Sequence, residues 1–368
     1  MKEKELIDLM LLQHAVGIGD ITSKKLIQFC GSATAVFEEK PSILERIDGV
    51  GKFVLRMLKD AYRPEEAYEE LEYIKTNGIK VAVYTESGYP ERLKHCVDGP
   101  LILYVKGGEG LNSKRMISIV GTRQMSGYGK RVCEELIRGL AIMDPVIISG
   151  FAYGVDICAH RVAMEHKLKT IACLGHGLGS LYPAVHARYV PEMMNSGGFL
   201  TDFWSGDKAE RNNFLRRNRI IAGMSEATIV IESAGKGGAL VTADIANSYN
   251  REVFAVPGKV TDHYSAGCNE LIKKQRAHLL QSAEDLIYML GWNPDELSGK
   301  KSVQTQLFTD LTDDEEQIMT FLKKGGKQLL DDIALICKKP VHKVAVDLLN
   351  MEMKGIVRPL PGKYFEIC

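Results

Sequence analysis

The residues best suited to binding chemistry in this sequence lie in one short segment, residues 208–220. The segment is KAERNNFLRRNRI, in which five Lys or Arg residues stand against a single Glu, with an aromatic ring and amides interleaved. Single-stranded nucleic acid needs cations for successive phosphates and ring faces for bases, and each stacked base contributes about 1–3 kcal/mol. The composition therefore predicts a nucleic-acid contact surface. Its candidate residues are Arg211, Phe214, Arg216, Arg217, Asn218 and Arg219.

The same segment also has a structural interpretation. Arg217 and Arg219 would then anchor the start of a helix through buried ion pairs, and Phe214 would belong to the core. This alternative is strongest for Arg219, because it stands next to the apolar run at 220–224. The sequence leaves both interpretations open.

Glycine-rich or serine-rich loops follow most of the candidate strands in the middle of the chain. They are GTRQMSGYG at 121–129, SGFAYG at 149–154, GHGLG at 175–179, ESAGKGG at 232–238 and PGK at 257–259. Backbone N–H groups and helix N-termini in such loops attract anions. None of the loops has a GxGxxG fingerprint or a complete P-loop, so no cofactor is expected. The loops add Gly121, Arg123 and Lys259 to the candidate contact residues.

The arrangement of these loops follows from the predicted fold of residues 78–292. Short β-branched runs alternate there with helix-length segments, a pattern typical of a Rossmann-like, doubly wound and mostly parallel α/β sheet. Ligands of such sheets bind at the carboxyl ends of the strands, near a topological switch point. The candidate strands are residues 80–84, 101–105, 116–120, 146–149, 170–174, 228–231 and 253–256.

A small all-α module is predicted for residues 1–75, where apolar residues recur at helical spacing. Its breaks GIG at 17–19 and GVG at 49–51, the second followed by Lys52, are typical of a helix-hairpin-helix or SAM-like module. Glycines of that kind let backbone N–H groups approach a phosphate. The alternative is that both breaks are tight turns of a protein-interaction module.

The C-terminal part of the chain is predicted to be a linker, residues 293–310, followed by a winged-helix module, residues 311–368. The module is expected to contain three helices and a hairpin that turns at Pro361-Gly362. Its basic and acidic residues balance, and its presumed recognition helix offers mainly His342 and Lys343. DNA binding and protein docking are both open for this module.

Composition limits the possible partners. The 368 residues include 47 Lys or Arg and 47 Asp or Glu, so attraction to nucleic acid must come from local charge segregation. The eight cysteines form no CxxC pair, which favours reduced thiols in the cytoplasm and no metal site. The N-terminal apolar stretch is interrupted by Gln13 and His14, unlike a signal peptide, and no run is long enough to span a membrane.

Catalysis is not expected from the residues that could support it. Ser149, Asp156 and His160 are close in sequence but lack the GxSxG context of a nucleophile, and Asp156 and His160 have the spacing of a helix-surface pair. Glu232 at a strand end could act as a general base. No set of residues supplies a nucleophile, a base and an oxyanion donor together.

An ordered set of motifs covers residues 89 to about 280 and resembles the DNA-processing protein A family (DprA, also called Smf). The motifs are YPERL at 89–93, GPLILYVKG at 99–107, IVGTR at 119–123 with SGYG at 126–129, SGFAYGVD at 149–156 with AH at 159–160, TIACLGHG at 170–177 with YP at 182–183, FLRRNRIIAG at 214–223 and REVFAVPG at 251–258. There are small departures. Thr201-Asp202 stands where the family usually has Ser-Glu, and Gly238-Ala239-Leu240 replaces the commoner Gly-Ser-Leu.

The resemblance implies a non-enzymatic recombination mediator. Such a protein is a homodimer that binds and protects incoming single-stranded DNA and helps to load a RecA-type recombinase during natural transformation. The strand lies in a basic pocket of the Rossmann domain. The positions of this sequence that match the pocket are Arg123, Arg211, Phe214, Arg216, Arg217, Asn218 and Arg219.

Two other functions are weighed against this one. The lysine-decarboxylase-like phosphoribohydrolases act on nucleoside monophosphates and carry a PGGxGTxxE loop with a catalytic glutamate. This chain has Gly237-Gly238 followed by ALVTAD, so that glutamate has no counterpart at the required spacing. A purely protein-binding scaffold is the other alternative, and the basic segment at 211–219 argues against it.

Overall fold

The computed structural model describes residues 1–107, 110–293, 311–354, 356–360 and 363–367. The chain forms two compact units, residues 1–294 and residues 295–368. The predicted linker lies outside the described residues from position 294 to position 310. No helix in the described part of the chain is long and apolar enough to cross a membrane.

Six helices fill the first 76 residues. They are α1 (Glu3–His14), α2 (Asp20–Cys30), α3 (Ala33–Glu38), α4 (Pro41–Leu44), α5 (Lys52–Ala61) and α6 (Pro64–Thr76). The GIG break joins α1 to α2, and the GVG break ends where α5 begins. The buried side chains of these helices share one core cluster with Ile79, Val83, Leu101, Ile102 and Tyr104, so they pack directly on the neighbouring sheet.

The sheet and its helices occupy residues 80–289. In chain order the elements are β1 (Lys80–Val83), α7 (Glu91–Lys94), β2 (Ile102–Gly107), β3 (Met116–Val120), α8 (Gly127–Leu140), β4 (Val146–Ser149), α9 (Val155–Glu165), β5 (Thr170–Cys173), α10 (Val190–Ser196), β6 (Gly197–Thr201), α11 (Arg211–Met224), β7 (Ala227–Val230), α12 (Gly238–Ser248), β8 (Glu252–Ala255), α13 (Ala266–Lys273), β9 (His278–Leu279) and α14 (Ala283–Met289). Short 3-10 helices cover Ala141–Met143 and Ala184–Tyr189.

The strand order confirms the predicted Rossmann-like sheet. It is β1-β2-β6-β5-β4-β3-β7-β8-β9, and every pair from β6 to β9 is parallel. The first two strands are antiparallel to their neighbours and extend one edge. From β3 the chain builds outward through β4, β5 and β6, and α11 then returns it to β7 on the other side of β3. The topological switch point therefore lies between β3 and β7.

Alternate residues of the central strands pack on different helices. Ile119 and Ile147 belong to a core cluster with α8, α9 and α14, whereas Ile148 and Ile171 belong to a cluster with α11, α12 and α13. This alternation is the two-residue period of a strand that is buried on both faces. All seven predicted strands are present within two residues of their predicted bounds.

Strand β6 was not predicted, because it begins with two glycines, which are depleted in strands. The structure shows why a glycine is needed there. A Cβ on Gly197 would collide with the carbonyl oxygen of Thr170 on the neighbouring strand. The close approach of the two backbones therefore excludes a larger residue. Strand β9, which has only two residues, was also missed.

The second unit contains α15 (Asp313–Gly325), β10 (Gln328–Leu329), α16 (Leu330–Ile336), α17 (Val341–Met353), β11 (Val357–Leu360) and β12 (Tyr364–Ile367). Its strands form an antiparallel sheet in the order β10-β12-β11. Residues 328–329 pair as a strand, although a helix start was predicted there. The predicted turn at Pro361-Gly362 lies outside the described residues. The winged-helix interpretation and the domain boundaries stay predictions.

Candidate nucleic-acid interface

The candidate site lies where β3, β4 and β5 end and α11 begins. The burial of helix α11 changes along its axis. Residues 211–216 are exposed or half-buried, while residues 217–224 are buried. Because the helix enters the protein end-on in this way, neighbouring basic residues of one segment have different environments. The predicted contact residues consequently divide into two groups.

Phe214 is the centre of the exposed group. The guanidinium carbon of Arg123 lies 5.4 Å from the centroid of its ring, and that of Arg217 lies 5.9 Å from it. The ring of Tyr182 is 5.7 Å away, tilted by 47°. These distances are typical of cation–π and aromatic contacts. A half-buried ring is thus held beside an exposed cation and a second ring at the carboxyl edge of the sheet.

The position of Phe214 depends on Gly175, the first residue of the GHGLG loop after β5. A Cβ at this glycine would lie 2.9 Å from Phe214 Cδ1 and 3.1 Å from Phe214 Cα. Contacts that short require the backbone or the ring to move. The sequence identified this loop only as a source of backbone N–H groups, but here its glycine makes room for α11.

Three cations remain exposed around this ring and on the adjoining loop. Arg123 follows β3, Arg211 is the first residue of α11, and Lys259 follows β8. Within the described residues, neither Arg123 nor Arg211 has a carboxylate within 4.0 Å that would neutralise it. Lys259 lies on a loop tied to the Arg123 loop, because Tyr128 Oη donates to the carbonyl of Pro257 at 2.7 Å and Tyr264 Oη donates to Gln124.

Arg216 is intermediate between the exposed and buried groups. Its side chain is 41% exposed, and its guanidinium carbon lies 5.4 Å from the ring centroid of Phe203. Its Nη2 is 3.5 Å from Asp202 Oδ2. The Asp202 carboxylate therefore partly neutralises the Arg216 guanidinium group, which is still partly exposed to solvent.

Arg217, for which the sequence predicts a phosphate contact, is buried in this structure. It donates a hydrogen bond to the carbonyl of Cys173 at the end of β5. Burial lowers the pKa of Arg217, and the nearby Asp156 carboxylate opposes that shift. Because Arg217 also lies against Phe214, its role in this structure is to position the ring.

Arg219 and Asn218, also predicted as contact residues, are buried as well. Arg219 Nη2 is 2.5 Å from Asp202 Oδ2 and 3.2 Å from Asp20 Oδ2, and its side chain is only 7% exposed. Asn218 Nδ2 donates to the carbonyl of Gly238 at 3.3 Å. Both side chains are therefore engaged within the protein, Arg219 in the buried ion pair that the structural alternative predicts and Asn218 in a hydrogen bond between helices.

The ion pair of Arg219 also bears on the N-terminal module. Asp20 is the first residue of α2, directly after the GIG break, and it lies at the positive end of that helix. The Asp20 side chain at this helix N-terminus is thus paired with Arg219. Both breaks have exposed glycines, and they differ in the next residue, since Asp20 is buried and Lys52 is exposed. The helix-hairpin-helix interpretation stays a prediction for both breaks.

The switch point between β3 and β7 is filled by the protein itself. Glu232, buried after β7, accepts a hydrogen bond from the backbone N–H of Ser126 at 2.9 Å and another from its hydroxyl. Ser126 is the N-cap of α8, and a Cβ on Gly129 would collide with the Glu232 carboxylate. A phosphate of a Rossmann cofactor would need this helix N-terminus. Glu232 is a helix-capping residue here, not an exposed base.

Gly121 is also part of this packing. A Cβ there would lie 2.9 Å from Val155 Cβ and 3.0 Å from the carbonyl oxygen of Glu232. The structure therefore explains this glycine by the close approach of the loop after β3 to α9 and to the end of β7.

Like Glu232, the other three residues considered for catalysis are buried. Ser149 Oγ donates to the carbonyl of Ile119 at 2.6 Å. His160 contacts the carbonyl of Gly150 through Nε2 and Thr170 Oγ1 through Nδ1, and burial lowers its pKa to about 4. Asp156 faces Arg217, and burial raises its pKa. Each group is therefore engaged in holding the fold together.

Tyr182 is a site residue that sequence reasoning missed. Its side chain is 42% exposed and lies against Phe214. The Tyr-Pro pair at 182–183 was noted only as a motif. The signal that could have identified it is an exposed aromatic residue in the polar loop that follows the GHGLG sequence.

Comparison with known proteins identifies relatives of the whole core. The sequence profile of the family described as DNA recombination-mediator protein A matches residues 80–291. The putative DNA processing protein DprA of Mycobacterium tuberculosis is 33% identical over 280 residues, which are 76% of this chain and 72% of that protein. The DNA processing protein DprA of Bacillus subtilis is 37% identical over 213 residues, covering 58% of this chain and 71% of the relative.

Two solved structures are similar to the fold. The X-ray structure of DNA processing protein A from Streptococcus pneumoniae superposes with a TM-score of 0.65 at 28% identity, covering 75% of this chain and 95% of the other. The structure of DNA processing protein A from Helicobacter pylori gives a TM-score of 0.52 at 27% identity, covering 58% and 97%. The Helicobacter pylori protein is described as having a unique single-stranded DNA binding mode.

Proposed function

Because this chain belongs to the DNA recombination-mediator protein A family, we propose that it binds single-stranded DNA at the carboxyl edge of its sheet. The strand would lie over the Phe214 ring, with Arg123 and Arg211 contacting phosphates. Arg216 and Lys259 would be peripheral cations. Arg217, Asn218 and Arg219 would act from beneath, by holding α11 in place.

The observation that carries this proposal is the juxtaposition of Arg123 with Phe214. One residue follows β3 and the other lies on α11, yet the guanidinium carbon is 5.4 Å from the ring centroid. A ring beside an unneutralised cation offers a base a stacking surface and the adjoining phosphate a counter-charge. Sequence-independent binding of a single strand needs both features.

The further role that we propose is recombinase loading. The chain would protect incoming single strands in the cytoplasm and help to load a RecA-type recombinase on them during natural transformation, acting as a homodimer. Support comes from the motif set shared with the family and from the single-stranded DNA binding described for the Helicobacter pylori protein. No covalent chemistry is proposed. Light scattering for the dimer, and recombinase filament assembly on coated single strands, would test these points.

DNA binding is tested by titrating the protein into fluorescently labelled single-stranded and duplex oligonucleotides at two salt concentrations. The variants are Arg123→Ala, Arg211→Ala and Phe214→Ala. Arg138→Ala is the matched control, because it removes an exposed Arg from the last turn of α8, at the opposite edge of the sheet. We expect the wild-type protein and the control to prefer single strands.

The Phe214→Ala variant should bind about 5- to 150-fold more weakly, which corresponds to the 1–3 kcal/mol of one stacked base. Each Arg variant should weaken binding and reduce its salt sensitivity. If every variant bound DNA as tightly as the wild-type protein, the assignment of this edge as the DNA site would be contradicted. It would direct attention to the exposed GVG break or to the C-terminal unit.

A further inference from the structure

A second cleft adjoins the Phe214 site on the other side of Arg123. It has a volume of about 340 Å³ and opens between the loop after β3, the start of α9 and the end of the 3-10 helix Ala184–Tyr189. Its lining includes Arg123, Gln124, Lys130, Arg161 and Tyr189. Arg123 therefore belongs to both places, with its guanidinium group over the Phe214 ring and its side chain in the wall of the cleft.

One aromatic ring, that of Tyr189, lines this cleft, and two further rings lie close to it. Tyr189 is half-buried, and the guanidinium carbon of Arg188 lies 4.7 Å from the centroid of its ring. The ring of Tyr153, 46% exposed, packs edge-on against His186 with the centroids 5.1 Å apart. His186 is in turn 6.1 Å from Tyr189. This aromatic group, formed by Tyr153, His186 and Tyr189, repeats the arrangement of rings and a cation found at Phe214.

The aromatic group is held close to Arg123 by a tight turn at Gly154. This glycine has φ of +77°, and a Cβ there would lie 2.8 Å from Arg123 Cα and would collide with the Thr122 carbonyl. Only glycine allows the loop after β4 to approach the loop after β3 so closely. Tyr153, the preceding residue, is consequently fixed next to the loop that carries Arg123.

The charge around the cleft is positive. Arg123, Lys130, Arg161 and Arg188 contribute four cations, whereas Arg161 is paired with Glu134 and Glu165, and Lys130 lies 3.9 Å from Glu134. Arg123 and Arg188 have no carboxylate within 4.0 Å among the residues that the structure describes. Arg123 in the lining of the cleft and Arg188 beside Tyr189 are thus cations that could contact phosphates.

We propose that the cleft is a second base-stacking site for the same DNA strand, with Tyr189 as the stacking ring and Arg188 as a phosphate contact. The proposal rests on the proposed function, because it extends the path of the strand beyond Phe214. Arg123 would contact the phosphate between the two stacked bases. The bound strand would be longer than the Phe214 pocket alone can hold.

The test is a length series of oligothymidines, from about 4 to about 20 nucleotides, titrated into the full-length protein. The variants are Tyr189→Ala, Tyr189→Phe and Phe214→Ala, with Tyr68→Ala as a control that removes an exposed Tyr from α6. We expect Tyr189→Ala to bind the longest oligonucleotide about 5- to 150-fold more weakly and the shortest one unchanged. Tyr189→Phe and Tyr68→Ala should bind like the wild-type protein.

The outcomes separate this inference from the proposed function. If Phe214→Ala weakens every length and Tyr189→Ala weakens none, the second site is wrong and the first stands. If neither variant changes binding, the proposed function itself fails. A uniform loss at all lengths in Tyr189→Ala would overturn the path extension.

A measurement on the wild-type protein guards against a folding defect in the Tyr189→Ala variant. Oligonucleotides carrying a single 5-iodouracil at successive positions are photo-crosslinked, and the modified residues are identified by peptide mass spectrometry. We expect crosslinks to Phe214 from one position and to Tyr189 from another position of the same strand. Crosslinks to Phe214 without any to Tyr189, Tyr153 or His186 would contradict the proposal.

Discussion

Arg219, near the end of the basic segment at 208–220, forms a buried ion pair with Asp202, with 2.5 Å between Nη2 and Oδ2. Asp20 lies 3.2 Å from the same guanidinium group. Burial raises the pKa of Asp20, and Arg219 opposes this rise. One cation therefore supports two acidic groups from distant parts of the sequence and fixes α2 and α11 against the end of β6.

We expect Arg219→Ala to lower the free energy of unfolding by about 3–5 kcal/mol, because Asp202 and Asp20 lose their buried cation. They keep only the partly exposed Arg216, at 3.5 Å and 3.9 Å. Arg211→Ala should change that free energy by less than about 0.5 kcal/mol, since Arg211 is exposed. Urea denaturation of both variants measures the difference. DNA titration should show the opposite order, with Arg211→Ala the weaker binder as long as both proteins are folded. An Arg219→Ala protein of normal stability would contradict the structural role of this residue.

Salt dependence distinguishes phosphate contacts from stacking. For single strands, the slope of the logarithm of affinity against the logarithm of salt concentration changes by about 0.7 for each phosphate that is neutralised. Arg123→Ala and Arg211→Ala should each reduce the slope by about that amount. Phe214→Ala should weaken binding and leave the slope unchanged, because an aromatic ring releases no counterions. Titrations at four or more salt concentrations provide the slopes, and a flat response to both Arg changes would exclude direct phosphate contacts.

The sequence was sufficient to predict seven of the nine strands of the sheet, because buried strands alternate with helices and end in glycine-rich loops. It could not separate Arg211 from Arg219. Both stand in one basic run, and their difference depends on Asp202 and Asp20, which only the fold brings near. Burial changes along the axis of α11 rather than around it, so helical periodicity carries no signal of the boundary. The capping role of Glu232 could not be predicted either, because its partner Ser126 is remote in sequence and only the fold brings the two residues together.

Glu232 provides a test of how the switch point is closed. We expect Glu232→Ala to lower the free energy of unfolding by about 1–2 kcal/mol, because the N-terminus of α8 loses its negatively charged partner. The change also exposes a helix N-terminus that attracts anions. Millimolar phosphate should therefore raise the Tm of Glu232→Ala more than that of the wild-type protein, through binding to the native state.

Glu232→Gln, which keeps the shape of the side chain, is the control and should respond less to phosphate. Identical phosphate responses in all three proteins would argue against an anion site beneath Glu232.

His160 should make stability depend on pH in the mildly acidic range. Its pKa is lowered to about 4 by burial, whereas an unfolded His has a pKa of about 6.5. Between these values the unfolded chain binds a proton that the native protein does not, so the free energy of unfolding falls as the pH falls from about 6.5 to about 4. The contribution of this group over that interval is about 3 kcal/mol and stops changing below pH 4.

His176 and His186 are also buried with lowered pKa values, so the effect of His160 must be measured as the difference between the wild-type protein and a His160 variant. We expect urea denaturation of the wild-type protein to lose more stability between pH 7 and pH 5 than that of His160→Gln, whose amide does not titrate there. Parallel losses in the two proteins would show that His160 titrates normally in the native state.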